Sequence, residues 1–233
     1  MSASLLLSTP VALKDLAGQF KESAKPATMN VERKLLCKPV SYDSVQNIAY
    51  SKHFEPEQAI ISLRLLCLSS DLPVVYHWLP WEYTRHLKKE AHVDHLQEIY
   101  TRIASSGTAQ SFMVLNNNST LAQADVYQAS TDDISLQYKV SPGDFRLQFL
   151  IKPERLLSNN HSLCAMYTVL EFLFTFVEVN RVVMLLDEHD FLNNKIEKAG
   201  FSFHTQTGSR QKTSRLYICT KESHQRSAGA PKP

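Results

Sequence analysis

"DFRLQFLIKPERLLSNNHSLCAMYTVLEFLFTFVEVNRVVMLLD", residues 144–187, is the stretch whose reading decides the fold. Its first eight residues, Asp144–Ile151, form an apolar run of strand length. Residues 162–177 place Leu163, Met166, Val169, Leu170, Leu173 and Phe174 at three-to-four spacing, the buried stripe of an amphipathic helix. Arg181–Asp187 is a continuous apolar strand closed by an acid, the pattern of a central strand covered on both faces. Strand, helix and strand in immediate succession make a crossover unit, which joins parallel neighbours in one sheet.

Upstream, residues 59–68 (AIISLRLLCL) read as a strand, followed by a short helix with Ser69, Ser70 or Asp71 as its cap and Pro73 in its first turn. Residues 80–104 read as an amphipathic helix ended by Gly107, with Leu87, Val93, Leu96, Ile99 and Ile103 on its apolar side. Residues 111–117 and 121–130 are strands joined by the tight turn NNNS, where Asn accepts positive φ. Downstream, residues 191–198 form a short helix closed by Gly200, and residues 214–221 are the last strand. Residues 33–42 suggest one further strand near the start, and residues 11–20 a short helix or loose arm. The tail from Ser223 reads as disordered. The fold class expected is α/β, with a mixed, mostly antiparallel sheet and a central βαβ crossover flanked by helices.

Composition narrows the function classes. The chain has 233 residues, 43% of them hydrophobic and 21% charged, with a formal net charge of +2. That charge excludes a broad nucleic-acid surface, and no Lys/Arg cluster with interleaved aromatics occurs. Glu171 and Glu178 interrupt the longest apolar run, which is also too short to span a bilayer. The expectation is a cytoplasmic protein, with no nucleic-acid or membrane partner and a homodimer as its candidate assembly. Cys37, Cys67, Cys164 and Cys219 form no C-x-x-C pair and read as reduced core thiols. His92 and His95 flank Asp94 without a third ligand at metal spacing, so no metal is expected.

Six segments resemble, in order, the siderophore-biosynthesis branch of the GNAT acyltransferases, which includes the aerobactin, alcaligin and mycobactin acylating enzymes. LRLLCLSSDLPVVYHWL is similar to the family's opening strand and D-L-P-L-L-x-x-W. ADVYQA is similar to A-E-V-Y-W-A, and YKVSPGDFRLQFLI to Y-x-x-x-P-x-D-R-G-L-H-L-L-I. LEFLFTFVEVNRVVMLLD resembles the long helix leading to R-V-V-x-E-P-D. KIEKAGF and KTSRLYICTKE resemble the closing A-G-F and K-R-A-x-L-M-x-x-T-R-E segments. The resemblance divides the chain into an extension (1–57), a GNAT domain (58–222) and a tail (223–233).

What the resemblance implies is transfer of an acyl group from acetyl-CoA or another acyl-CoA to a small-molecule N-hydroxylated amine in hydroxamate siderophore assembly. Gln148 stands where the family has a His that looks like a general base; Asp187 and Asp144 match its two acids. Glutamine takes no proton at working pH, but an N-hydroxylated amine is already neutral near pH 7 and needs only orientation. The turn after residue 151 would hold the CoA pyrophosphate at a helix N-terminus, through Lys152, Arg155, Ser158, Asn159, Asn160 and His161. Ser158 and Asn160 replace glycines there, and an ordinary capping loop reads equally from those residues. Tyr76, His77, Trp78 and Tyr138 are the candidate acceptor contacts. The rival functional reading is a catalytically silent GNAT-fold binding or accessory protein. An acyl carrier as donor would also explain the missing glycines.

Overall fold

The computed structural model describes residues 36–37, 48–79, 89–153, 160–187, 190–209 and 212–229. Their strands are β1 (Tyr50–Phe54), β2 (Ala59–Leu65), β3 (Ala109–Asn116), β4 (Ser119–Gln128), β5 (Asp144–Ile151), β6 (Arg181–Asp187), β7 (Phe201–Ser209) and β8 (Lys212–Thr220). The helices are α1 (Leu68–Trp78), α2 (Lys89–Ser105), α3 (His161–Leu173) and α4 (Lys221–Gly229). One sheet takes the order β1-β2-β3-β4-β5-β6-β8-β7. Every pairing is antiparallel except β5–β6, the pair joined through α3.

Both faces of the sheet are covered. Ala122, Ala124 and Val126 of β4 and Leu147 of β5 pack under α3 with Met166, Val169, Leu170 and Leu173, in the larger core. On the opposite face Met113 and Tyr127 pack under Leu72, Val75 and Trp78 of α1 and Leu96, Ile99 and Ile103 of α2. Short 3-10 turns at Ala129–Thr131 and Asp133–Leu136 lie beside Val183, Leu216 and Ile218 on that second face. Such burial of whole Leu, Ile and Met side chains stabilises by about 1.5–3 kcal/mol each.

The crossover matches the sequence residue for residue in its two strands. The NNNS turn also holds: Asn117 and Asn118 take φ of 45° and 67°, the two positive values of a type I′ turn. Four expectations change. The Asp71 carboxylate, not a cap on the helix itself, binds the N–H of the N-cap residue Cys67 at 2.7 Å, which shifts the start of α1 forward to Leu68 and leaves Pro73 inside it. The helix expected over 162–177 stops at Leu173. Residues 191–199 form two 3-10 turns, Phe191–Asn194 and Ile196–Ala199, ended by Gly200 at φ 102°.

The tail read as disordered instead forms α4. Thr220 and Ser223 exchange reciprocal hydrogen bonds at its start (2.9 and 3.1 Å), a capping box, and His224 is buried. Strands β1 and β7 were not read from the sequence. Of the strand expected over 33–42 only residues 36–37 are described; they form a bend with both side chains buried. The helix or arm over 11–20, and residues 80–88 of the expected second helix, lie outside the described residues.

Candidate functional site

The parallel pair is the place to look, because it is the one that comes apart. β5 and β6 are in register only at Asp144↔Arg181, Phe145↔Val182 and Arg146↔Val183. Beyond Arg146 and Val183 the strands diverge while β5 stays paired to β4 as far as Ile151 and β6 to β8 as far as Asp187. The result is a V-shaped cleft through the sheet, in line with open α/β sheets whose ligands bind beyond the carboxyl ends of their strands. Burial follows the geometry: Asp144–Leu147 are buried, whereas Gln148, Phe149 and Leu150 are half-exposed.

Residues in register point to the same face, so Gln148 on β5 and Asp187 on β6 flank the cleft on the face that carries α1 and α2. Asp187 is half-exposed and accepts a hydrogen bond from Ser214 Oγ at 3.0 Å. The Gln148 side chain makes no hydrogen bond with any other described residue, its backbone being part of the β4–β5 ladder. These two predicted residues are brought to one opening.

Asp144 stands elsewhere, four residues back along β5, or about 13 Å at strand rise. Arg181 binds it twice at 2.6 Å, Tyr138 donates its hydroxyl at 2.8 Å and Ser141 its N–H at 2.9 Å. Burial would raise this carboxyl, but those hydrogen bonds and the Arg181 charge outweigh it and hold it below the usual range. Asp144 and Tyr138 therefore form a clamp at the narrow end. The other acceptor candidates sit on α1: Trp78 is buried in the core, Tyr76 is half-buried, and His77 is exposed with its ring edge-on to Tyr76 at 5.7 Å.

The N-terminus of α3 lies beside Asn116 at the end of β3 and Glu57 in the turn between β1 and β2. Asn160 is its N-cap with φ −116°, not a positive value, and its side chain reaches Glu57 Oε1 at 3.4 Å instead of capping the helix. No acid occupies the first turn. The first N–H groups of such a helix carry partial positive charge and have no partner inside it. His161 opens the helix with Nδ1 3.2 Å from Asn116 Nδ2. Lys152 is half-exposed just past β5. Arg155, Ser158 and Asn159 lie outside the described residues, as does the side chain of His92. Among the described residues no group of three or more His, Cys, Asp or Glu could hold a metal ion.

Sequence reasoning missed a buried polar cluster behind Gln148. Asp125 of β4 accepts from Ser111 Oγ (2.5 Å), Gln123 Nε2 (2.7 Å) and Tyr100 OH (3.2 Å). Burial pushes its carboxyl up to about 6, against the lowering effect of these donors and of Arg146. Arg146 is itself buried and paired with Asp132 at 2.8 Å. The available signal was the alternation Gln123, Asp125, Tyr127 on a strand whose neighbours are apolar.

An antiparallel sheet, one divergent parallel pair and an uncapped helix N-terminus behind it define the acyltransferase class of architecture that the sequence motifs suggested. A family profile described as an acetyltransferase (GNAT) domain matches residues 67–207, and the chain belongs to that family. No curated protein matches it by sequence. Among solved structures it is similar to an uncharacterized protein from Bacillus halodurans, with TM-score 0.67 and 15% identity over 76% of this chain and 93% of that one. It is also similar to the aminoglycoside acetyltransferase AAC(6')-Ib in complex with coenzyme A and kanamycin, at TM-score 0.61 and 17% identity over 72% and 99%. A spermidine N-acetyltransferase chimera from Vibrio cholerae aligns with TM-score 0.54 and 13% identity over 73% and 99%. Among the described residues no helix is long and apolar enough to cross a membrane.

Proposed function

We propose that the chain is an acyl-CoA-dependent N-acyltransferase acting on a small-molecule amine, and more finely on an N-hydroxylated diamine or amino acid of hydroxamate siderophore biosynthesis. The observation that carries the first part is the cleft between β5 and β6 in a GNAT-family chain. Aminoglycoside and spermidine acetyltransferases among the similar structures support a small polar amine as acceptor.

The donor fits the described residues. A pyrophosphate needs N–H donors, which the first turn of α3 offers with no acid of its own; Glu57, whose Oε1 accepts from the N-cap Asn160 at 3.4 Å, is the carboxylate the phosphates would displace there. Lys152, Asn160 and His161 would supply polar contacts to it; Arg155, Ser158 and Asn159 are candidates from the sequence alone. The diverging edges of β5 and β6 leave backbone groups to hold an extended thioester arm and to polarise its carbonyl.

Gln148 supports the finer part. An alkyl ammonium must lose a proton before it attacks, and an amide side chain does not take one. A hydroxylamine nitrogen is neutral near pH 7, so Gln148 need only accept its hydrogen bond and hold it at the carbonyl. Asp187, across the cleft, receives the proton released as the tetrahedral intermediate collapses and the thiolate of CoA leaves. Tyr76 and His77 would border the acceptor side from α1, with Trp78 buried in the core behind them. Most of the acceleration then comes from orientation.

Calorimetric titration with acetyl-CoA and longer acyl-CoAs tests the donor, and paired assays with N-hydroxylysine, N-hydroxyornithine and a hydroxylated diamine against their unhydroxylated parents test the acceptor. Binding with turnover of the hydroxylated member alone is the expected result. No binding at millimolar acyl-CoA would favour a silent GNAT-fold binding protein, and equal turnover of both members would remove the hydroxamate assignment.

A further inference from the structure

Asp125 and Gln148 are Cα partners in the antiparallel β4–β5 pair. Directly opposed residues leave the same face of a sheet with Cβ atoms about 5 Å apart. One is 5% exposed and lies beneath α2; the other is half-exposed on the cleft. The carboxylate is used unevenly. Oδ1 accepts the two short bonds, from Ser111 and Gln123, while Oδ2 has only the 3.2 Å bond from Tyr100. Those three donors belong to β3, β4 and α2, and none comes from β5. A carboxylate oxygen has two lone pairs, so Oδ2 retains an acceptor position beside its bond from Tyr100.

The Gln148 amide is in the complementary situation. It makes no hydrogen bond with any other described residue, and either its oxygen or its nitrogen could face the cleft. For an incoming N–H or N–OH the difference decides whether the group is attracted or repelled.

We propose that Asp125 is the positioning residue of this site: the two side chains are not bonded in this structure, and a turn of the Gln148 side chain lets its Nε2 donate to the ionised Oδ2, which brings Gln148 Oε1 into the cleft to receive the nucleophile's hydrogen. Its role in acyl transfer rests on the proposed function, but the pairing itself does not. Protonation reverses the arrangement. A neutral Asp125 donates to Gln148 Oε1, the amide turns over, and Nε2 meets the acceptor donor-to-donor. The groups facing Asp125 are Tyr100 from α2, Ser111 from β3, Gln123 and Tyr127 from β4, and Arg146 from β5, whose charge is shared with Asp132. Because burial sets the Asp125 carboxyl at about 6, the reversal falls in the near-neutral range.

The test follows the Gln148 side-chain amide by NMR in the full chain from pH 5 to pH 8, without substrate, with the resonance assigned by its loss in Gln148→Ala. In the wild type it shifts with a midpoint near 6; in Asp125→Asn it is flat. Ser111→Ala removes a hydrogen bond that favours the charged carboxylate, so it moves the midpoint upward, and it serves if Asp125→Asn does not fold. A Gln148 resonance that does not titrate in the folded wild type, or a midpoint that Ser111→Ala leaves in place, overturns the proposal. In turnover assays kcat falls about tenfold per pH unit below the midpoint while KM for the acyl-CoA holds. A chain that acylates nothing yet shows the amide titration removes the enzymatic reading and leaves the pair standing.

Discussion

Arg181 grips Asp144 with two hydrogen bonds of 2.6 Å, Nε to Oδ1 and Nη2 to Oδ2, at the only end where β5 and β6 still pair. The fork geometry fixes how the two strands leave each other, and with it the angle of the cleft. The pair is lopsided in burial: the Asp144 side chain is 0% exposed and that of Arg181 is 28%. Removing the arginine strands a buried carboxylate with only Tyr138 and Ser141, whereas removing the charge of Asp144 leaves a guanidinium that can reach water. Arg181→Met is expected to lose about 3 kcal/mol or more in urea unfolding at pH 7, and Asp144→Asn about 1–2 kcal/mol. The folded Asp144 carboxyl is depressed, so the pair's contribution is present above its ordinary value near 4 and is lost as pH falls through the folded one. The Arg181→Met deficit should therefore shrink in acid. Equal deficits for both variants would refute the lopsided account.

Asp125 has the opposite sign. Its folded carboxyl sits at about 6, above an unfolded value near 3.9. Stability from this group is full below the unfolded value and is lost as pH rises through 6. At pH 7 the ionised side chain therefore costs on the order of 3 kcal/mol. Asp125→Asn escapes that term. Its stability relative to the wild type should climb between pH 4 and pH 7 and then level off, read from denaturant midpoints. His224 runs the other way: burial lowers it, and its contribution is lost as pH falls below about 6.5 in both proteins. The comparison therefore isolates Asp125. A difference independent of pH would mean that the carboxyl is not perturbed.

The four thiols divide by environment. Burial pushes Cys37 upward, and Cys219 up to about 12. Cys67 is also buried, which raises it, but hydrogen bonds from Ser69 and Ser70 at the start of α1 outweigh that and leave it lowered. A disulfide reagent at pH 8 should label none of the four rapidly in the native fold, and Cys67 first as urea approaches the transition. Rapid native labelling of Cys164, which lies buried in α3, would contradict this ordering.

What the sequence made legible follows from how many residues share one signal. The crossover was readable because β6 is apolar between its terminal Arg181 and Asp187 and α3 carries Leu163, Met166, Val169, Leu170 and Leu173 on one stripe. Gln148 and Asp187 were reached through the resemblance, and the register of β5 and β6 puts them on one face. Asp144 was placed with them by motif, but register separates it to the far end, where Arg181 neutralises it. β7 escaped because Phe201–Ser209 is an edge strand that satisfies its hydrogen bonds through β8 alone and needs little apolar sequence. The Asp125 cluster escaped because polar residues at alternate positions read as a solvent face, and only the packing of α2 over β3 and β4 buries them. The proposed pyrophosphate turn after β5 would act through backbone direction, which residue types report weakly once glycine is absent.

Gly200 offers the last test, because its conformation and its neighbour are both constrained. It closes the 3-10 turn at φ 102°, and a Cβ there would lie 2.8 Å from His224 Cα, His224 N and Ser223 O, all backbone atoms of α4. No rotamer change relieves such a contact, so Gly200→Ala must push α4 away. His224 anchors that helix: its ring lies 5.6 Å from Tyr167 and 5.8 Å from Phe174, and Nδ1 is 3.1 Å from Ala199 O. His224→Ala alone should cost about 2–4 kcal/mol as a buried ring lost to a cavity. Gly200→Ala should cost more than 1 kcal/mol through strain and undocking together. Since both act by releasing the same helix, the double variant should lose less than the sum. Hydrogen exchange should show lost protection in residues 221–229 while β5 and α3 keep theirs. Strict additivity, or exchange spreading into β5, would mean that α4 is part of the cooperative core and not a separately docked cap.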